Sequence, residues 1–173
     1  MKIHVCGLTY VNDLAEAHGP SRVVSLLAPG DPFPEIDGMG EEAHLRVAID
    51  DVRAPLPDTV PPDRRHVERI VDFLDGWRPE TPLLVHCWAG ISRSTATAFI
   101  AACLHNPKAD EKALADALRA ASPTAYPNTR IIAFADDILG RGGRMDAAVA
   151  QMGRGDVAEI AEPFHIPSVH RVP

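Results

Sequence analysis

The 173-residue chain is 46% hydrophobic and 24% charged, with a formal net charge of −7, which suits a single compact domain spanning 1–173 with its own core. The acidic balance offers no electrostatic footprint for nucleic acid or an anionic membrane surface, and neither partner is expected. Three cysteines, Cys6, Cys87 and Cys103, are an odd number without metal-ligand spacing, so neither a disulfide framework nor a metal is expected, and a reducing, cytoplasmic compartment is. The opening apolar run is too short for a signal peptide, and no stretch approaches the roughly 20 apolar residues of a membrane span.

Residues 3–8 form a short β-rich run, and residues 22–27 (Arg-Val-Val-Ser-Leu-Leu) form a second. Between them, 12–18 reads as a helical turn closed by Gly19-Pro20. Residues 29–40, dense in Pro, Gly and acidic side chains, read as a surface loop. Residues 44–49 read as a third strand leading into Asp50-Asp51. Asp58-Thr59 before Pro61-Pro62 reads as a helix start, a capping side chain with proline in the first turn. Val67, Ile70, Val71, Leu74 and Trp77 then recur at the spacing of one buried stripe. Residues 79–82 end that helix, and Leu83-Leu84-Val85 has the all-apolar character of a strand buried on both faces.

Downstream the pattern turns helical. Residues 95–104 are apolar nearly all round, as in a central buried helix. Asp110 caps a helix running to Ala121, and Asn128 caps another, with Gly140 just past its end. The remainder, 141–173, offers one short helix (145–152) and then an irregular, proline-containing end. No repeat or linker divides the chain. The expected class is α/β, a small central sheet of about four to five strands flanked by helices.

The chemistry concentrates in His86-Cys87-Trp88-Ala89-Gly90-Ile91-Ser92-Arg93-Ser94. A buried strand ends at Cys87, a short loop follows, and a helix begins near Arg93. Backbone N–H groups of Trp88, Ala89, Gly90, Ile91 and Ser92 can converge into a nest, to which the helix N-terminus adds unpaired donors and partial positive charge. That is an anion cradle. Gly90 supplies backbone freedom, and Arg93 adds a bidentate fork suited to phosphate oxygens. A thiol on the floor of the cradle feels the same positive potential, which favours the nucleophilic thiolate. The Ser94 hydroxyl can hydrogen-bond the sulfur and help it leave. If phosphorus is attacked, the leaving oxygen needs a proton, and Asp50, Asp51 and Asp58 all precede Cys87 as candidates.

This segment resembles the signature loop of the protein tyrosine phosphatase superfamily, His-Cys-x5-Arg-Ser/Thr, and is nearest in character to its dual-specificity branch; a bacterial member is expected. The resemblance covers about residues 1–140, leaving 141–173 as a C-terminal extension. It implies a dual-specificity-like fold and a two-step phosphatase without cofactor or metal. It makes Cys87 the nucleophile, Arg93 the phosphate clamp, Asp51 the general acid and His86 a support for the loop. It also makes 123–128 (Pro-Thr-Ala-Tyr-Pro-Asn) a turn packed on the loop, with Asn128 orienting it. Phosphotyrosine or another phosphoprotein or aryl phosphate is the expected substrate, because the loop carries no Lys. Two alternatives stand beside it: a phosphate-binding pseudophosphatase, and rhodanese- or arsenate-reductase-type thiol chemistry. Loop 29–40 and the C-terminal tail are the expected walls of the cleft.

Overall fold

A computed structural model describes residues 1–170 of the chain. Strands β1 (Lys2–Gly7), β2 (Arg22–Leu27), β3 (His44–Ala48), β4 (Leu83–Cys87) and β5 (Phe164–Pro167) form one sheet in the order β3-β2-β4-β1-β5. The first four are mutually parallel, and β5 adds antiparallel to β1 at the edge. Among the described residues, six α-helices flank the sheet: α1 (Val11–His18), α2 (Arg64–Asp75), α3 (Arg93–His105), α4 (Glu111–Ala121), α5 (Thr129–Ile138) and α6 (Arg144–Met152). No helix among the described residues is long and apolar enough to cross a membrane.

The two faces of the sheet are covered unequally. Ile3, Val5, Val24, Leu26, Leu83 and Val85 point into the large core, against the stripe Val67-Ile70-Leu74 of α2 and against α3. Helix α3 is buried on nearly every side, as its unbroken run of small and apolar residues requires. The alternate residues Cys6, Val23 and Leu84 face the other way, onto Val11 and Ala15 of α1 and onto Ile36 and Met39 of the loop before β3. Because β4 lies at the centre, all five of its residues are buried. The carboxyl ends of the parallel strands share one edge, where α/β folds bind ligands.

Most expected elements form where their patterns place them, and Asp110 and Asn128 cap α4 and α5. Two expectations are corrected. The start of α2 is not at Asp58-Thr59: Asp58 sits in an exposed turn with φ +56°, and Asp63 is the cap. Its side chain accepts from the His66 N–H at 3.0 Å, and His66 Nδ1 accepts from the Asp63 N–H at 3.2 Å. Two consecutive prolines hold the chain extended, so the first capping side chain after them begins the helix. Nor is the end of the chain irregular throughout. Helix α6 forms as expected, but 164–167 become β5, with Ile166 in the core.

A buried ion pair attaches the start of α6. Arg141 Nη1 donates to Glu111 Oε1 at 2.9 Å, with side chains only 8% and 5% exposed, and Arg144 Nε donates to the same carboxylate. Arg141 also donates to the Cys103 carbonyl of α3. Removing one partner leaves a buried charge uncompensated, so Glu111→Ala is expected to cost about 3–5 kcal/mol, read as a lower urea midpoint. A midpoint within experimental error of the wild type would contradict it.

Candidate active site

Cys87 closes β4 at the carboxyl edge of the parallel strands and is 1% exposed. Its Sγ lies 3.1 Å from Ser94 Oγ and receives the Gly90 N–H at 3.3 Å. These are two contacts that stabilise a sulfur anion. Gly90 makes the loop possible in two ways. Its φ is +77°, and a Cβ there would fall 2.7 Å from Cys6 C and Gly7 N, so no side chain fits. The amides of Ala89, Ile91 and Ser92 donate to no protein acceptor among the described residues, which leaves them for an anion. The Trp88 carbonyl accepts from the Leu8 N–H, and the Trp88 side chain is 54% exposed.

Arg93 is the second member of the centre. It is 5% exposed, and its Nη1 donates to the Ile49 carbonyl at 2.7 Å. Its Nε is buried without a partner among the described residues. An orphaned guanidinium donor is costly unless a ligand oxygen completes it. Through Ile49 the same side chain ties the end of β3, and so Asp50-Asp51, to the signature loop.

The three candidate acids separate clearly. Asp51 Oδ1 accepts from Ser92 Oγ at 2.7 Å and from Asn128 Nδ2 at 2.8 Å. Its Oδ2 takes no hydrogen bond among the described residues. Asp50 instead closes its own loop, accepting from the Val60 N–H at 2.7 Å and donating its N–H to the Val60 carbonyl at 2.9 Å. Asp58 stands apart in its turn. Asn128 does two jobs at once: its Oδ1 caps α5 and its Nδ2 holds Asp51 and the Val52 carbonyl. The turn 123–128 packs on the loop through Tyr126 N–H to Ile91 O at 2.9 Å and Asn128 N–H to Ser92 O at 3.2 Å.

Two further sets of contacts flank the loop, of which only the Ser25 partner of His86 was not legible in the sequence. Behind the loop, buried His86 places Nδ1 3.3 Å from the Cys87 carbonyl and Nε2 2.5 Å from Ser25 Oγ. The polar Ser25 inside an otherwise apolar strand was the signal available. Outside the loop, the segment after α6 reaches the cradle, Ala161 N–H donating to Ala89 O at 2.8 Å. The tail therefore borders the site as expected. Residues 35–39 of the loop before β3 instead line a cleft of about 540 Å³ with α1, and its charged side chains, Glu16, Glu35 and Asp37, are all acidic.

The other thiols are held inert. Burial pushes Cys6 and Cys103 up to about 12. Cys6 also projects to the opposite face of the sheet from Cys87. No group of three or more His, Cys, Asp or Glu among the described residues is arranged to hold a metal. Burial lowers His4, His44 and His86 to about 4 each, aided by neighbouring His18, His165 and Lys2 at His4, by Arg46 at His44, and by His44 and Arg93 at His86. A histidine ordinarily titrates near 6.5, so between about 6.5 and 4 the unfolded chain binds protons that the folded one refuses. Stability should therefore fall as pH falls through that window, each group contributing up to about 1.4 kcal/mol per pH unit. Urea midpoints at about pH 7 and about pH 5 measure it, and an unchanged midpoint contradicts it.

Residues 56–125, which hold α2, β4, the loop, α3 and α4, match the protein-tyrosine phosphatase family model. No curated protein matches the chain. Among solved structures, DUSP15 superposes with a TM-score of 0.56 at 20% identity, covering 87% of this chain and 89% of that one. Human DUSP28 gives 0.57 at 21%, covering 75% and 81%. The Yvh1 phosphatase domain from Chaetomium thermophilum gives 0.54 at 23%, covering 83% and 94%. The fold is that of these phosphatases.

Proposed function

We propose that this chain, protein-tyrosine-phosphatase-like in sequence over 56–125 and dual-specificity-phosphatase-like in fold, is a phosphomonoester hydrolase with Cys87 as nucleophile. The observation that carries the reading is the pairing of a sulfur held by Ser94 and Gly90 with the buried, unpartnered Nε of Arg93 in the same loop. One group attacks, and the other lacks only an oxyanion.

The reaction runs in two steps. The Cys87 thiolate attacks phosphorus in line while the loop amides and Arg93 hold the non-bridging oxygens. The S–P bond forms as the bond from phosphorus to the leaving oxygen breaks, and Asp51 Oδ2 delivers its proton to that oxygen. Water then attacks the phosphocysteine, giving a proton to ionised Asp51. The S–P bond breaks, inorganic phosphate leaves, and the thiolate returns to the Ser94 hydroxyl and the Gly90 N–H. Most of the acceleration comes from positioning and charge stabilisation. Ser92 and Asn128 fix the carboxyl through Oδ1, and His86 supports the loop from behind.

The proposed substrates are phosphotyrosine or other phosphoprotein residues. Positions 88–92 carry no basic side chain, which disfavours polyphosphorylated head groups. Hydrolysis of p-nitrophenyl phosphate in the presence of a chelator tests the activity. Turnover that depends on added metal would overturn it. A profile across phosphopeptides, phosphoinositides and nucleotides tests the substrate class, with phosphopeptides expected to be preferred.

A further inference from the structure

Strand β2 has one polar residue in its interior, Ser25, and it is fully buried. A hydroxyl there is unfavourable unless it has partners, and it has two. Ser25 Oγ lies 2.5 Å from His86 Nε2 and 2.7 Å from His44 Nε2. Three side chains from three neighbouring strands, β3, β2 and β4, thus make one line across the back face of the sheet. It ends where His86 Nδ1 stands 3.3 Å from the Cys87 carbonyl.

Counting hydrogens gives the line a direction. A carbonyl only accepts, so His86 carries its proton on Nδ1. In a neutral ring Nε2 is then an acceptor. Ser25 has one proton, which goes to His86, and its lone pairs take Nε2–H of His44. Burial acts on both rings against a charge, aided by His44 and Arg93 at His86 and by Arg46 at His44, and at His86 it outweighs the opposing bond to the Cys87 carbonyl. Among the described residues, no carboxylate hydrogen-bonds either ring.

We infer that Ser25 and His44 are positioning residues for the nucleophile: the chain His44–Ser25–His86 pins the imidazole so that Nδ1–H holds the Cys87 carbonyl, fixing the peptide from which the signature loop leaves β4 and hence the aim of Sγ. The role presupposes Cys87 as the nucleophile, so the test reads the thiol itself as well as turnover.

Alkylation of Cys87 by iodoacetate in the intact protein, followed by mass, is the direct measurement. Ser25→Ala is expected to slow it about two- to tenfold at about pH 6, to lower kcat by a similar factor and to leave KM unchanged. Ser25→Thr keeps the hydroxyl and should restore the rate. His44→Leu should reproduce the defect, and His44→Gln, which keeps a donor, should lie nearer the wild type. Wild-type alkylation and kcat in folded Ser25→Ala, or in His44→Leu should Ser25→Ala not fold, overturn the role. Slowed alkylation together with turnover that survives Cys87→Ser would keep the relay and sink the phosphatase reading instead.

Discussion

Cys87→Ser is expected to lower kcat on p-nitrophenyl phosphate by about 10⁴-fold or more while leaving inorganic phosphate bound. The asymmetry follows from the division of labour in the loop. The donors proposed to hold the anion are backbone amides and Arg93, and they do not need the sulfur. A serine hydroxyl at the same place is a far weaker nucleophile, since nothing nearby is arranged to take its proton: Ser94 and the Gly90 N–H suit an anion that is already formed. Substitution also leaves the packing nearly intact, so a melting curve should barely move. Turnover within tenfold of the wild type would remove Cys87 from the reaction.

Asp51→Asn is expected to lower kcat by about 10²–10⁴-fold, with the larger loss on phenyl phosphate and the smaller on p-nitrophenyl phosphate, whose leaving group needs less help. Asp50→Asn serves as the counter-case. Its carboxylate accepts from the Val60 N–H within its own loop, so its loss should loosen that loop and act modestly on rate. If Asp50→Asn proved the more damaging on kcat, with the leaving-group dependence transferred to it, the two roles would exchange. The geometry favours Asp51 because Ser92 and Asn128 both bind Oδ1. The carboxyl is thereby oriented while Oδ2 remains open. Asn128→Ala should consequently lower kcat and also weaken α5, since one side chain performs both tasks.

Some of this was readable before any fold existed. Cys87, Gly90, Arg93 and Ser94 lie within eight residues, and the strand, the sharp loop and the helix that join them are local structures. The Asp110 and Asn128 caps are equally local, each side chain binding an amide two or three residues on. The α2 stripe was legible because its period is built into the helix. Its start was misplaced because Asp58 and Asp63 are both plausible caps, and the choice depended on how the chain passes two prolines. Strand β5 was missed for a different reason. Its four residues have no pattern of their own and become a strand only against the free edge of β1.

The signature segment by itself carries the local part of the proposed site, a thiol beside free loop amides and a guanidinium, because a loop's amide geometry follows from neighbouring residues. What only the tertiary structure decided is everything that acts on that thiol from a distance in sequence. It set Asp51, and not Asp50, against Ser92 and Asn128, and it left Arg93 Nε without a partner among the described residues. It also set Ser25 and His44 behind His86. Those contacts join residues 19 to 77 positions apart, and they exist only once β2, β3 and β4 take up their register. Side-chain direction in a strand alternates with every residue, so a one-residue slip would turn Ser25 into the opposite core and break the line.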